Sequence, residues 1–449
     1  MKVSLESIGL TSLFGLPWVL KFLWGPQVDL YATKRRWMLS MQALLVLMVL
    51  GTTILSGLPG GVTAIAFLFF IAAFIAATHD IAIDGYYMEA LDEKGQAKFV
   101  GYRVMAYRIA MMTGTGIIVT IGATTTWFTG FLSASVLLAL LFAYHLTFLP
   151  AIEREGVPFA ALIKRLLRPR TGLYILILIA VIMVIRWALS VGWRDFSGWI
   201  GIGLLVALCL LAALKKPIRR FLLQDRDSFY SQAFIAYMDR PYIGVALAFI
   251  ILMRTGESML SSMASPFIVD LGIKIHYGWI SGGVGLPFSI IGAMTGGWMI
   301  AKYSLKRTIW PFLLAQNFTN VIYMLLAFHL NEYIVLNTGV ENVTPLGNLN
   351  LFLVAAVHAF DQFAGGLGTS VLTTFLMRTC MPDFKAAHFA IGTGLMNISG
   401  VFSGALGGFL AGWLGYGYFF GISFLASIPG MLLIFFIPFL GPSKGRVHS

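Results

Sequence analysis

The sequence predicts an all-α polytopic membrane protein built as two pseudo-symmetric helix bundles. Composition is the first reason: 58% of the 449 residues are hydrophobic and 11% are charged, with a mean hydropathy of +0.85, which excludes an ordinary soluble domain. Span length is the second. About thirteen apolar stretches between Ser7 and Leu440 can each cross a hydrocarbon core about 30 Å thick, which takes about 20 helical residues. Such runs are too long for barrel strands, and only helices or closed barrels satisfy the backbone in lipid. The third is an internal repeat. Gly25 followed by Asp29-Leu30-Tyr31-Ala32-Thr33-Lys34-Arg35 is in register with Gly297 followed by Ala301-Lys302-Tyr303-Ser304-Leu305-Lys306-Arg307.

Taken in order, the predicted spans are 7–28, 37–56, 62–88, 99–122 and 127–150, then 173–192 and 198–214, then 241–265, 278–301, 309–330, 348–377, 386–412 and 416–440. Residues 1–152 form an N-terminal bundle with five spans around the first loop copy, and residues 241–449 a C-terminal bundle with six around the second. The linker, 153–240, opens with a basic amphipathic stretch from Phe159 to Leu167, expected to lie on the membrane surface. Its two extra spans preserve sidedness. Parallel halves that share a basic loop point to the major facilitator fold. In that fold the first bundle has six helices, so its opening core helix is absent from this sequence. An in-frame apolar stretch of roughly 20 residues is expected upstream of Met1.

The formal net charge of +12 sits in short loops between spans, the pattern of cytoplasmic loops, and a nucleic-acid partner is rejected on that ground. Lys34-Arg35-Arg36, Lys94 and Lys98, Lys164 to Arg170, Lys215 to Arg226, Lys302 to Arg307, Arg378 with Lys385, and Lys444 with Arg446 fall on one side. Lys2, Arg186, Arg194 and Lys274 fall on the other. The C-terminus is therefore cytoplasmic and Met1 outside. Cys209 and Cys380 give no disulfide framework. There is no Walker-type loop, no Gly-x-Ser-x-Gly elbow and no metal-ligand spacing, so the expectation is a non-enzyme without cofactor or metal.

Ionisable groups at membrane depth are costly and usually functional. Lys21 lies in the first span, Asp80 and Asp84 share a face of the third, and Arg103 and Arg108 lie in the fourth. Arg254 and Glu257 are three residues apart, and Asp361 precedes Gly365-Gly366. The functional reading is a central cavity in which Lys21, Arg103 and Arg254 hold an anionic substrate. Asp80, Asp84, Glu257 and Asp361 take up and release protons. The competing reading is that these charges pair only to hold helices together, and that Arg103 and Arg108 snorkel to a rim. His79, His358 and His388 read as packing hydrogen bonders. In the repeated loops, Gly25 and Gly297 allow close helix crossing. Lys34, Arg35, Lys306 and Arg307 anchor the turns at headgroups, and Asp29 pairs with a basic residue of a neighbouring helix and is released as the halves rock.

Lys21-Phe22-Leu23-Trp24-Gly25-Pro26 with Asp29 resembles the second helix of the AmpG-type muropeptide permeases and of their relatives, the acetyl-CoA transporters. The resemblance continues through Ala77 to Asp84, Gly101-Tyr102-Arg103, the Arg254 and Glu257 pair, Gly365 to Ser370, and Phe384 to Ala390. It covers nearly the whole chain in order, departing at His79, where the bacterial permeases commonly have Gln. The resemblance implies proton-driven import of an anhydro-muropeptide, an anionic small molecule, by a monomer in a bacterial inner membrane. The alternatives are a carrier of acetyl-CoA or another nucleotide-linked anion, and a non-transporting receptor or scaffold. The charge asymmetry makes a direct prediction. Single cysteines in the Lys215–Arg226 loop are expected to resist an impermeant thiol reagent applied to intact cells; efficient labelling there reverses the orientation.

Overall fold

The computed structural model describes residues 15–58, 61–153, 156–166, 219–220, 222–224, 228–273, 276–337, 344–438 and 440. The two extra spans expected in the linker and the start of the first span lie outside the described residues. The first bundle opens with a broken helix: α1 (Leu16–Leu20), a 3₁₀ turn (Lys21–Leu23) and α2 (Gly25–Leu30). It continues with α3 (Lys34–Ser56), α4 (Val62–Ala90), α5 (Glu93–Met112), which runs through a π turn (Thr113–Ile118) into α6 (Val119–Thr124), and α7 (Trp127–Phe148). The linker contributes α8 (Phe159–Leu166) and α9 (Phe229–Met238). The second bundle opens with another broken helix, α10 (Ile243–Met253) and α11 (Thr255–Asp270). A π turn (Gly278–Gly285) leads into α12 (Leu286–Tyr303), followed by α13 (Leu305–His329), α14 (Asn331–Asn337), α15 (Asn348–Arg378), α16 (Lys385–Leu414) and α17 (Tyr416–Leu433). Nine spans among the described residues are long and apolar enough to cross a bilayer.

Polar side chains start several of these helices. Thr33 accepts the Arg36 N–H at 3.2 Å to open α3, and Asp92 accepts the Gly95 N–H at 2.8 Å to open α5. Thr126 and Thr129 form a reciprocal capping box on α7. The amphipathic stretch is helical as α8: Leu162 is buried, Lys164 is exposed, and the Phe159 ring lies 4.8 Å from that of Trp37.

The repeat explains how the halves meet. α2 crosses α16, and α12 crosses α5. Gly25 lies against Ala387 and Ala390 of α16, and Gly297 against Ala97 and Val100 of α5; a Cβ on Gly297 would sit 2.5 Å from the Ala97 carbonyl oxygen. The repeated glycine thus does the same work in both copies: it lets its helix cross a small-residue face of the other half. The turns that follow agree as well. Ala32 (φ 53°) and Ser304 (φ 79°) occupy equivalent registers, and both adopt positive φ. Neither is glycine, so both turns are strained. Ser304, at ψ 154°, lies in a region nearly restricted to glycine. Ser304→Gly is expected to stabilise the protein by about 1 kcal/mol, and Ser304→Val to destabilise it, measured as thermal unfolding in detergent. Equal melting temperatures for the two variants would contradict the strain.

Candidate functional site

Two charged clusters sit at breaks in membrane helices. Lys21 opens the 3₁₀ turn between α1 and α2, in a segment where Pro17 and the Gly25-Pro26 pair prevent one continuous helix. It is 1% exposed. Its Nζ lies 2.7 Å from Asp80 Oδ2 and 3.8 Å from Asp84 Oδ2 of α4. Arg103 of α5 pairs with the other oxygen of Asp84. The Arg103 guanidinium also lies over the rings of Tyr87 at 5.6 Å and Phe389 at 5.9 Å, the latter from α16 of the other bundle. Two cations and two carboxylates therefore balance within one enclosure. Lys21 and Arg103, expected to bind substrate, and Asp80 and Asp84, expected to carry protons, form a single group.

The second cluster surrounds the break between α10 and α11, where Arg254 is the hinge residue with φ −92° and ψ −4°. Arg254 Nε donates to Glu257 Oε2 at 2.9 Å and Nη2 to Oε1 at 3.4 Å. Glu257 Oε1 faces Gly365 of α15. Asp361, one turn away on α15, is buried and accepts a hydrogen bond from Gln362 at 3.2 Å. Nearby, Tyr323 OH and His358 Nδ1 are 3.0 Å apart. Among the described residues there is no group of His, Cys and carboxylates able to hold a metal.

The loop residues form a latch at the end of the bundles where α2, α3, α4 and α16 meet. Asp29 accepts the N–H groups of Ala386 at 3.2 Å and Ala387 at 2.8 Å, capping a helix that no residue of its own caps. Lys34 Nζ lies among Asp29 (3.5 Å), Glu89 (3.7 Å) and Glu153 (3.4 Å). Lys385 closes the circuit to Glu89 at 2.8 Å across the two halves. Asp29 thus has its basic partner on the next helix, Lys34, together with two backbone donors from the other bundle. Arg35 donates to the carbonyls of Leu149 at 2.7 Å and Leu146 at 3.0 Å, closing the end of α7. In the second copy Lys306 and Arg307 are exposed and Ala301 replaces Asp29. The α5 end opposite Ala301 has its own cap, Asp92, and needs no borrowed carboxylate.

No family model matches the chain. The anhydromuropeptide permease of Escherichia coli K12 is 23% identical over 452 residues, covering 96% of this chain and 72% of the relative. A transporter named AmpG 2 in Rickettsia typhi is 25% identical over 272 residues, 60% of this chain and 62% of the relative. A proton:xylose symporter structure superposes with a TM-score of 0.59 at 13% identity, covering 97% of this chain and 88% of that one. A POT family transporter bound to a thioalcohol-conjugated peptide gives 0.59 at 13% identity, covering 96% and 87%. The solved structures establish the major facilitator fold, and over nearly its full length the sequence is similar to an anhydromuropeptide permease.

Sequence reasoning missed one polar element of the second bundle. Gln316, Asn317 and Asn320 of α13 are almost fully buried. Asn317 and Asn320 spend their donors on carbonyls of their own helix at 2.9 Å and 3.1 Å, and all three amide oxygens are left unpartnered. Three amides within five residues of an apolar span were the available signal. His388 is a packing group, as read: it accepts the Met381 N–H at 3.1 Å and contacts the Ala233 carbonyl at 2.9 Å.

The first cluster makes a stability prediction. Lys21→Ala leaves Asp80 and Asp84 with Arg103 alone. It is expected to cost about 3 kcal/mol, the low end for a broken buried pair because Asp80 keeps partial exposure. Asp80→Asn added to Lys21→Ala is expected to recover most of that loss. Thermal unfolding of the two variants checks both, and no recovery would mean that Asp80 is not the residue Lys21 neutralises.

Proposed function

We propose that the protein imports an anhydro-muropeptide across the bacterial inner membrane, with protons moving in the same direction, and that it works as a monomer. The observation that carries this reading is the pairing of basic and acidic side chains at breaks in two membrane helices, Lys21 with Asp80 and Arg254 with Glu257. Discontinuous helices near the bilayer centre are where transporters of this kind build their sites. The full-length likeness to a permease named for anhydro-muropeptides supports the substrate. Peptide carboxylates on such a solute are suited to guanidinium and ammonium groups.

The coupling follows from exchange of partners. A substrate carboxylate that takes Arg254 deprives Glu257 of its cation in a low-dielectric site, and Glu257 then takes up a proton. The latch of Asp29, Lys34, Glu89 and Lys385 would open when the halves rock, with Lys34 passing among its three carboxylates rather than into lipid. The charge asymmetry of the loops supports a cytoplasmic position for this latch and the C-terminus.

Two measurements test the reading. Vesicles containing the purified protein are expected to accumulate labelled anhydro-muropeptide when a proton gradient is imposed; no uptake above empty vesicles would contradict it. Glu257→Gln is expected to abolish that accumulation while exchange between equal pools continues. Undiminished accumulation removes Glu257 from the mechanism.

A further inference from the structure

One arginine at membrane depth stands apart from the paired cations. Lys21, Arg103 and Arg254 each have a carboxylate within salt-bridge distance. Among the described residues Arg108 has none. Its contact is a 3.4 Å hydrogen bond from Nη2 to Ser289 Oγ, and its Nε is buried without a partner. Arg108 lies about 22 Å along α5 from Glu93, at about 1.5 Å per residue, and Ser289 about 21 Å along α12 from Tyr303. Both are mid-span. From there an arginine cannot snorkel to either surface, so its charge needs a counter-ion where it stands.

The position is also the end of the seam between the bundles. α5 and α12 are in contact from Gly297 and Ala97 up to Ser289 and Arg108. Just beyond, both helices change to π turns, Thr113–Ile118 and Gly278–Gly285, a feature frequent at functional sites. At Gly114, Gly116, Gly278 and Gly282 a Cβ would meet no atom within 4 Å. A second polar atom without a partner, Nε2 of the buried His358, lies against Gly285, one turn from Ser289.

We propose that Arg108, held by Ser289 across the seam, binds a second carboxylate of the transported solute, beside the one that takes Arg254. The inference rests on the muropeptide reading and extends it. The cations already paired with Asp80, Asp84 and Glu257 serve coupling, while Arg108 supplies the charge that selects an anionic substrate. Engaging Arg254 strands Glu257 and so drives proton uptake; use of Arg108 strands nothing and adds affinity alone. Its guanidinium has donors to spare for a two-pronged contact, which a lysine cannot reproduce.

The test is a binding titration on wild type, Arg108→Ala, Arg108→Lys and Ser289→Ala in lipid nanodiscs. Two probes are used: an anhydro-muropeptide, and the same compound with its peptide carboxylates converted to amides. Wild type is expected to prefer the free carboxylate form. Arg108→Ala is expected to lose roughly 10- to 100-fold in affinity for that form, the range for a lost charge-assisted contact, with little change for the amide. Ser289→Ala loses less, and Arg108→Lys falls between wild type and alanine. If Arg108→Ala is unfolded, Arg108→Lys carries the comparison and must weaken the carboxylate form more than the amide. Equal losses for the two probes, or wild-type affinity in the variants, overturn this inference and leave the muropeptide reading standing. Wild type that binds neither probe overturns that reading, and this inference with it.

Discussion

Lys21 and Arg103 share the carboxylates of Asp80 and Asp84 inside the first bundle, and much of the structure follows from keeping that group neutral and enclosed. Charges at this depth cannot be left to lipid. α1 and α2 therefore break at Lys21 so that its short reach ends on α4, and α5 turns Arg103 toward the same carboxylate. Phe389 of the opposite bundle closes over the Arg103 guanidinium. A cluster that is electrically complete within one half can still be lidded by the other, which lets the two halves separate without exposing an unpaired charge to hydrocarbon.

The seam between the halves obeys a second constraint, set by the repeat. Each half inserts one glycine against a helix of the other, Gly25 on α16 and Gly297 on α5, and a positive-φ turn follows in both copies. The charge chemistry, by contrast, is concentrated in one copy. Asp29, Lys34 and Arg35 are all engaged in contacts with other helices, while Lys306 and Arg307 are exposed. The asymmetry has a local cause: α5 carries its own acidic cap and α16 does not. One half is a geometric copy of the other, but the latch is built once.

The parts that were legible in the sequence were those with local or periodic signals. Long apolar runs announced the helices, a seven-residue motif announced the repeat, and spacing of three or four residues placed Asp80 beside Asp84 and Arg254 beside Glu257. The i,i+3 pair is present as read. The parts that were not legible depend on contacts between segments hundreds of residues apart. Nothing near Asp29 in the chain says that it caps a helix starting at Lys385. Nothing near Arg35 says that its guanidinium closes α7. The strained turn at Ser304 carried no glycine to announce it. The distinction between Arg108 and the other arginines is also tertiary, because it lies in which cations have a carboxylate opposite them.

In this account anion binding and proton uptake are two sides of one exchange of partners, and that claim is open to a direct thermodynamic measurement. Calorimetric titration of the purified protein with anhydro-muropeptide, repeated at one pH in buffers of different ionisation enthalpy, reports protons taken up on binding. The account predicts an observed enthalpy that changes linearly with buffer ionisation enthalpy, with the sign of net proton uptake, and that loses this dependence in Glu257→Gln. Tight binding with the same enthalpy in every buffer would contradict it.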